Sequence, residues 1–407
     1  MDRKEMNFFE RHAKKIIALI ILLIFLASFY AIEKILAYKN KGIGFNFALP
    51  NRAIVLREFN PLLMEYNHPV KEDEPYDTVE KKNYLLRVDE NGFIIPSKRY
   101  ANPDISMVFL GDSVTAELLV EEQNRFPYAA AALLEMDLGI KINSYNASRT
   151  ANNTLHSLDV LLNKIIPLKP DIVIMMHNNN DVATMLYEKS YWNNSPTRSI
   201  IFDINKKIVN NFFRIMRDRL IPNLSREMRL AGIRFRTWWK SDKNLEGEDD
   251  EFAKMRGRKT TYDSGEMVEQ FEMNLQTFIS ICKIRKITPV LMTMASRFTA
   301  NPDQAILNRF KTVIISYQEY KHLFELFNDS IRKIARENQI PLIDLAASIP
   351  LDKQYIYDVI HYNDRGSIKA AEVIKDHLKP ILRQILAQKQ PPRLFYAKHH
   401  KMIYKFR

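Results

Sequence analysis

The chain has 407 residues, 46% of them hydrophobic and 27% charged, with a net charge of +12. Such values exclude a disordered, collagen-like or low-complexity chain and leave room for one large or two ordinary domains. A single cysteine, Cys282, excludes an internal disulfide framework, and within Phe278-Ile279-Ser280-Ile281-Cys282 it reads as a small core residue.

The first element is apolar. Ile16 to Ile32 (IIALIILLIFLASFYAI) carries no charge; as a helix it would span roughly 25 Å, near the short end for a membrane crossing. Arg3, Lys4, Arg11, Lys14 and Lys15 precede it, and Lys34, Lys39 and Lys41 follow, a bias that favours a cytoplasmic amino terminus. Phe29, Tyr30 and Ile32 crowd the end of the run and leave no small-x-small cleavage site, which favours an uncleaved signal anchor over a signal peptide. The expected order is a cytoplasmic amino terminus (1–15), a transmembrane signal anchor (16–36), a polar, proline-dotted lead-in (37–104), a folded domain (105–386) and a basic tail (387–407). That order implies a single-pass protein of the inner (cytoplasmic) membrane with an extracytoplasmic, periplasmic domain.

From residue 105 a strand–helix rhythm begins. The strands are expected at Met107–Leu110, Lys141–Tyr145, Asp171–Met176, Thr288–Thr293 and Ile340–Leu345. Helical patterns fall at Pro127–Met136, Leu155–Ile166, Met267–Arg285, Phe324–Asn338 and Ser367–Leu386. Alternation of this kind predicts an α/β fold, a three-layer α/β/α sandwich around a five-stranded parallel sheet of flavodoxin-like type. One segment, 184–265, is far longer than an ordinary loop. Within it Ile204, Ile208, Phe212 and Met216 share a helical stripe flanked by basic residues, as in a lid, a membrane-interface helix or a helix packed on the domain's own core. Trp238-Trp239-Lys240 and an acidic patch follow. After Asp376 no acid occurs, while Lys379, Arg383, Lys389, Arg393, Lys398, Lys401, Lys405 and Arg407 accumulate among aromatics. Such a tail suits anionic lipid or acidic glycan; nucleic acid is disfavoured by the extracytoplasmic placement.

The chemistry starts at Ser113. It lies in Gly111-Asp112-Ser113-Val114-Thr115, just past the carboxyl end of the first strand, the edge at which open α/β sheets bind ligands. A serine hydroxyl is a weak nucleophile without a base. His361 in Asp358-Val359-Ile360-His361 supplies an imidazole, and Asp358, three residues earlier, a carboxylate to fix its tautomer. A developing oxyanion needs donors; the Ser113 N–H, the backbone N–H after Asn146-Ala147 and the Asn180 amide are candidates. Arg149, near the predicted mouth, and Arg297, after the fourth strand, could meet an anionic substrate, and His177 and Asn178, after the third strand, could line the pocket. No Cys/His/Asp cluster has metal-ligand spacing and no glycine loop cradles phosphate, so neither metal nor cofactor is expected.

At these residues the chain resembles the SGNH (GDSL-like) hydrolase family over about residues 105–380, the insertion apart. Gly111-Asp112-Ser113 matches its first block and Asn146-Ala147, leading into Ser148, its second. Asn178-Asn179-Asn180-Asp181 stands for its third, Gly-x-Asn-Asp, and Asp358 with His361 for its last. The resemblance implies Ser113 as nucleophile, His361 as base and Asp358 as orienting acid, with an oxyanion hole of Ser113 N–H, Ser148 N–H and the Asn180 amide. Both block glycines are replaced, by Ser148 and Asn178. Asparagine tolerates left-handed backbone best among non-glycine residues, and neither change deletes a catalytic atom. The functions expected are an anchored esterase removing acyl groups such as acetyl from an envelope glycan, an O-acyltransferase on the same scaffold, or a degenerate glycan-binding assembly protein.

Overall fold

The computed structural model describes residues 8–39, 52–54, 56–69, 78–193, 195, 198–203, 212, 216, 231–232, 260–310 and 313–389. Two compact units result, one built on the amino-terminal residues 1–52 and one holding the sheet.

The amino-terminal unit is a helix, Phe8–Lys39. Its side chains from Ile17 to Leu26 form an apolar sleeve, with the large residues 49–61% exposed. Among the described residues no helix is long and apolar enough to cross a membrane. The expected transmembrane span is therefore not found there; side chains of this helix are described only from His12 to Ser28 and at Ala31.

In the larger unit five strands, Ile105–Leu110, Ile142–Asn146, Ile172–Met176, Thr288–Met292 and Leu342–Ile343, form one parallel sheet. In space the order is second, first, third, fourth, fifth, the flavodoxin-like order, whose switch point lies between the first and third strands. Residues of both pleat faces are buried along the second and third strands, so helices must cover both sides. Two helix groups do so. Phe126–Leu138 packs against Asp364–Lys389, and Thr154–Val160 and Tyr317–Glu337 gather on Ser264–Ile284.

The lead-in adds a hairpin in which Met64–Asn67 pairs antiparallel with Tyr84–Arg87. Phe59, Leu86, Val88 and Ile94 bury together with Ala116, just past Ser113, and the Ile94 N–H donates to the Asn146 carbonyl at 3.0 Å. The described lead-in residues from Ala53 to Asp104 thus belong to the same compact unit as the sheet. Of the amphipathic stripe in the insertion only Phe212 and Met216 are described, and both are exposed. Ile204, Ile208, Trp238, Trp239, the acidic patch and the basic tail after Lys389 lie outside the described residues.

Candidate active site

The first strand ends at Leu110, and the chain turns through Gly111 into a single helical turn, Ser113–Ala116. A Cβ on Gly111 would overlap Thr115 and come within 3.1 Å of the Met176 carbonyl, so this turn needs a glycine for close approach. Asp112 caps the turn, its Oδ1 accepting the Val114 N–H at 2.9 Å. Ser113 follows, partly exposed while its neighbours on both sides are buried.

His361 reaches it from 248 residues away, its Nε2 lying 2.8 Å from Ser113 Oγ. The other ring nitrogen, Nδ1, sits 2.7 Å from Asp358 Oδ2. A carboxylate oxygen accepts, so Nδ1 carries the proton and Nε2 is left as the acceptor facing the serine. Asp358 Oδ1 meanwhile accepts the N–H groups of Ile360 at 2.9 Å and His361 at 2.7 Å. Asp358 is buried, whereas the His361 side chain keeps 24% of its surface exposed. A shielded carboxylate thus stands behind a reachable imidazole and hydroxyl.

The charges are coupled. Burial alone would raise Asp358, but the facing His361 and then Arg309 hold it well below the usual carboxylate range. Burial alone would lower His361; the Asp358 charge and hydrogen bond outweigh it and leave the imidazole above its ordinary value. Arg309, whose Nη1 lies 3.5 Å from Asp358 Oδ2, gave no signal in the sequence.

The loop carrying this pair is held at several points. Arg297 is buried and donates to the carbonyls of Ile356 at 3.3 Å and Tyr357 at 3.2 Å, while its N–H reaches the Val359 carbonyl at 2.7 Å. Its guanidinium also pairs with Asp303. Arg297 therefore braces the Asp358–His361 loop, and it does not line the cavity beside Ser113. The Tyr357 ring stacks on His361 with centroids 5.8 Å apart. Asp364 accepts the Glu121 N–H at 3.1 Å and the Asn124 amide at 2.7 Å, tying the histidine loop to the chain beyond the serine.

The donors for an oxyanion fare unequally. Asn180 starts the helix Asn179–Glu188 after the third strand. Its Nδ2 donates to Asp112 Oδ2 at 2.8 Å, and its Oδ1 accepts from Arg198 Nη1 at 3.1 Å. Arginine only donates and carboxylate only accepts, so the two partners fix which end of the amide faces Asp112 and leave the second amide hydrogen unassigned. Burial pushes Asp112 up, with the Val114 N–H and the Asn180 amide opposing. Ser148 departs from expectation. Its N–H donates to Asn146 Oδ1 at 3.2 Å, and its hydroxyl pairs with the same oxygen; the turn is closed on itself and this N–H is already committed.

Other expectations are corrected by burial. His177 is buried with Nε2 2.7 Å from Ser157 Oγ. Burial lowers it to about 3, so it is neutral and its 3.8 Å approach to Asp181 is no ion pair. Asn178 is buried too, donating to the Phe324 carbonyl at 2.9 Å. Its φ of −168° is extended backbone, so replacing the glycine there involves no left-handed conformation. Neither residue lines the space at Ser113, and neither does Arg149, although its neighbour Thr150 does. Arg149 stays at the same sheet edge, its N–H 3.3 Å from the Gly111 carbonyl. Cys282 is buried, and burial pushes its thiol up to about 12, which excludes it as a nucleophile.

A cavity of about 250 Å³ opens beside Ser113 and His361, with Leu118, Leu119 and Tyr362 in its wall. Asn67 and His68 of the lead-in hairpin complete that wall; the sequence pattern gave them no role. Arg198 was also missed. It lies in the insertion, outside any periodic element, yet it is buried and its carbonyl lies 2.9 Å from His156 Nε2.

No protein-family profile matches the chain, and no curated protein does. Among solved structures the chain is similar to an acetylxylan esterase, Axe2, from Geobacillus stearothermophilus, at 13% identity over 67% of this chain and 94% of the other, TM-score 0.38. A lipase/acylhydrolase from Enterococcus faecalis is 15% identical over 70% and 98%, TM-score 0.37. A GDSL-like lipase from Bacteroides thetaiotaomicron is 13% identical over 69% and 89%, TM-score 0.35. Likeness at this level adds nothing to the site's own geometry.

Proposed function

We propose that the protein is a serine esterase of the SGNH type, acting on short acyl esters, such as O-acetyl groups, of an envelope glycan. The observation that carries the reading is the hydrogen-bonded line from Asp358 through His361 to Ser113, whose links of 2.7 and 2.8 Å are the geometry in which an imidazole serves as general base.

In the reaction Ser113 Oγ attacks the ester carbonyl carbon while its proton passes to His361 Nε2. The Asp358 carboxylate stabilises the imidazolium that forms. The oxyanion receives the Ser113 N–H and the second hydrogen of the Asn180 amide. Collapse breaks the bond to the alcohol oxygen, which leaves with the proton from Nε2. Water then gives a proton to His361, attacks the acyl-serine, and releases the carboxylic acid as Ser113 regains its proton.

A cavity below the roughly 300–1,000 Å³ of drug-sized sites favours a short acyl group over a fatty chain. The apolar sleeve of helix Phe8–Lys39 supports attachment to the inner membrane, with the domain in the periplasm and the basic tail at anionic headgroups. A reporter fused after residue 407 tests that part: activity inside the cytoplasm contradicts it. For the chemistry, the full chain in detergent hydrolyses p-nitrophenyl acetate and Ser113→Ala does not; equal rates in both would end the proposal. Acyl transfer to a sugar outpacing hydrolysis would make the protein an O-acyltransferase on the same machinery. Neither turnover nor transfer would leave a glycan-binding assembly role.

A further inference from the structure

We infer that Arg57 of the lead-in is a positioning residue for the reaction: with Asn152 it clasps the tight turn Arg149–Asn152 at the catalytic cavity and holds a strained backbone there in its working conformation. The inference rests on the ester-hydrolase reading and adds to it a residue outside the sheet and its crossovers.

The turn follows the second strand. The Asn152 N–H closes it by donating to the Arg149 carbonyl at 3.1 Å, and the Arg149 N–H lies 3.3 Å from the carbonyl of Gly111, in the loop that leads to Ser113. Thr150, the second residue of the turn, lines the cavity with Ser113 and His361. Ala151, the third, has a φ of 62°. This is the left-handed region, and glycine is the usual residue at such a place in a turn. The alanine Cβ makes it costly, so the conformation lasts only where its surroundings hold it.

Arg57 supplies that hold from its side chain and its main chain together. Its Nη2 donates to the Thr150 carbonyl at 3.2 Å, and its own carbonyl accepts from the Asn152 side-chain amide at 3.1 Å. The two bonds fall on the residues either side of Ala151. Asn152 is buried, so a broken bond there is not made good by water. The arginine is itself anchored: its neighbour Glu58 accepts from Lys164 Nζ, and Phe59 buries with Ala116, in the helical turn that Ser113 begins. Without the clasp Ala151 relaxes toward negative φ and carries Thr150 out of its place in the cavity wall. A displacement of about 1 Å at a reacting centre costs up to about 10²-fold in rate.

A suppressor experiment on the full chain in detergent, with p-nitrophenyl acetate as substrate, tests the clasp. Arg57→Met removes the donors and keeps an unbranched side chain; kcat is expected to fall about tenfold with KM within about twofold, and Arg57→Lys to regain part of the loss. Glycine adopts the left-handed turn without being held, so Ala151→Gly should raise kcat about fivefold more in Arg57→Met than in the unmodified chain. Asn152→Leu breaks the other bond; it should show the same loss and the same rescue, and it carries the test where Arg57→Met does not fold. A kcat within about twofold of the unmodified chain overturns the inference. So does a loss that Ala151→Gly leaves in place, since an arginine that only stabilised the fold would leave kcat indifferent to that glycine. An unmodified chain that neither cleaves the ester nor labels at Ser113 with a fluorophosphonate is a different result, in which the esterase reading fails and the positioning role falls with it.

Discussion

Replacing Asp358 by asparagine removes one charge and keeps the shape, and the structure dictates how the new amide must sit. Asp358 Oδ1 accepts two backbone N–H groups, from Ile360 and His361, at 2.9 and 2.7 Å. Turning the amide nitrogen toward them would strand both donors at about 1–3 kcal/mol each. The oxygen therefore stays there, and the nitrogen takes the position of Oδ2, now 2.7 Å from His361 Nδ1. An amide nitrogen donates, so Nδ1 must become the acceptor and the ring proton moves to Nε2. Nε2 then faces Ser113 Oγ at 2.8 Å as a donor and can no longer take the serine proton. The expected loss in kcat is about 10⁴-fold, the scale of this tautomer error in triads, or about 5.5 kcal/mol of barrier. Initial rates with p-nitrophenyl acetate on Asp358→Asn measure it directly. A variant within about tenfold of the unmodified chain would refute the tautomer argument.

Four further outcomes are expected. Because Asp358 raises His361 above its ordinary 6.5 and only the neutral imidazole accepts a proton, kcat/KM should fall as pH drops through an apparent pKa above 6.5; a limb centred below that value contradicts the coupling. Asn180→Ala should lower kcat about 10²–10³-fold with little change in KM. Arg198→Met should cost about tenfold in kcat, with partial rescue by Arg198→Lys, since it braces the same amide; equal effects on KM and kcat would argue for a structural role instead. A Cβ on Gly366 would overlap the Tyr355 carbonyl oxygen, so Gly366→Ala should destabilise the fold by about 1–3 kcal/mol, seen as a lower urea midpoint, and an unchanged midpoint refutes that packing.

Sequence periodicity conveyed the sheet because its strands are short, apolar and β-rich, bounded by turn residues; expected and observed strands agree to within a few residues. Ends of helices were less legible where caps were overlooked. Tyr317–Glu337 begins seven residues before the expected Phe324, at a box in which Ser316 and Glu319 bond each other's backbone N–H groups at 3.2 and 2.8 Å. That Ser-x-x-Glu spacing was readable. Ser113, Asp358 and His361 were legible since each sits in a local motif at a strand end or loop. Arg198 and Arg309 were not, because their contacts come from long-range packing that no local pattern encodes. Conversely, Arg297, His177 and Asn178 stood at the right end of the sheet in sequence. They are buried and hydrogen-bonded to other parts of the fold, and one-dimensional order carries no sign of which way a side chain turns.

Mass spectrometry of the full chain after brief exposure to a fluorophosphonate tests most directly whether His361 activates Ser113. A single adduct on the peptide bearing Ser113, lost in His361→Ala, is the predicted result. An unlabelled Ser113, or labelling that survives loss of the imidazole, would contradict it.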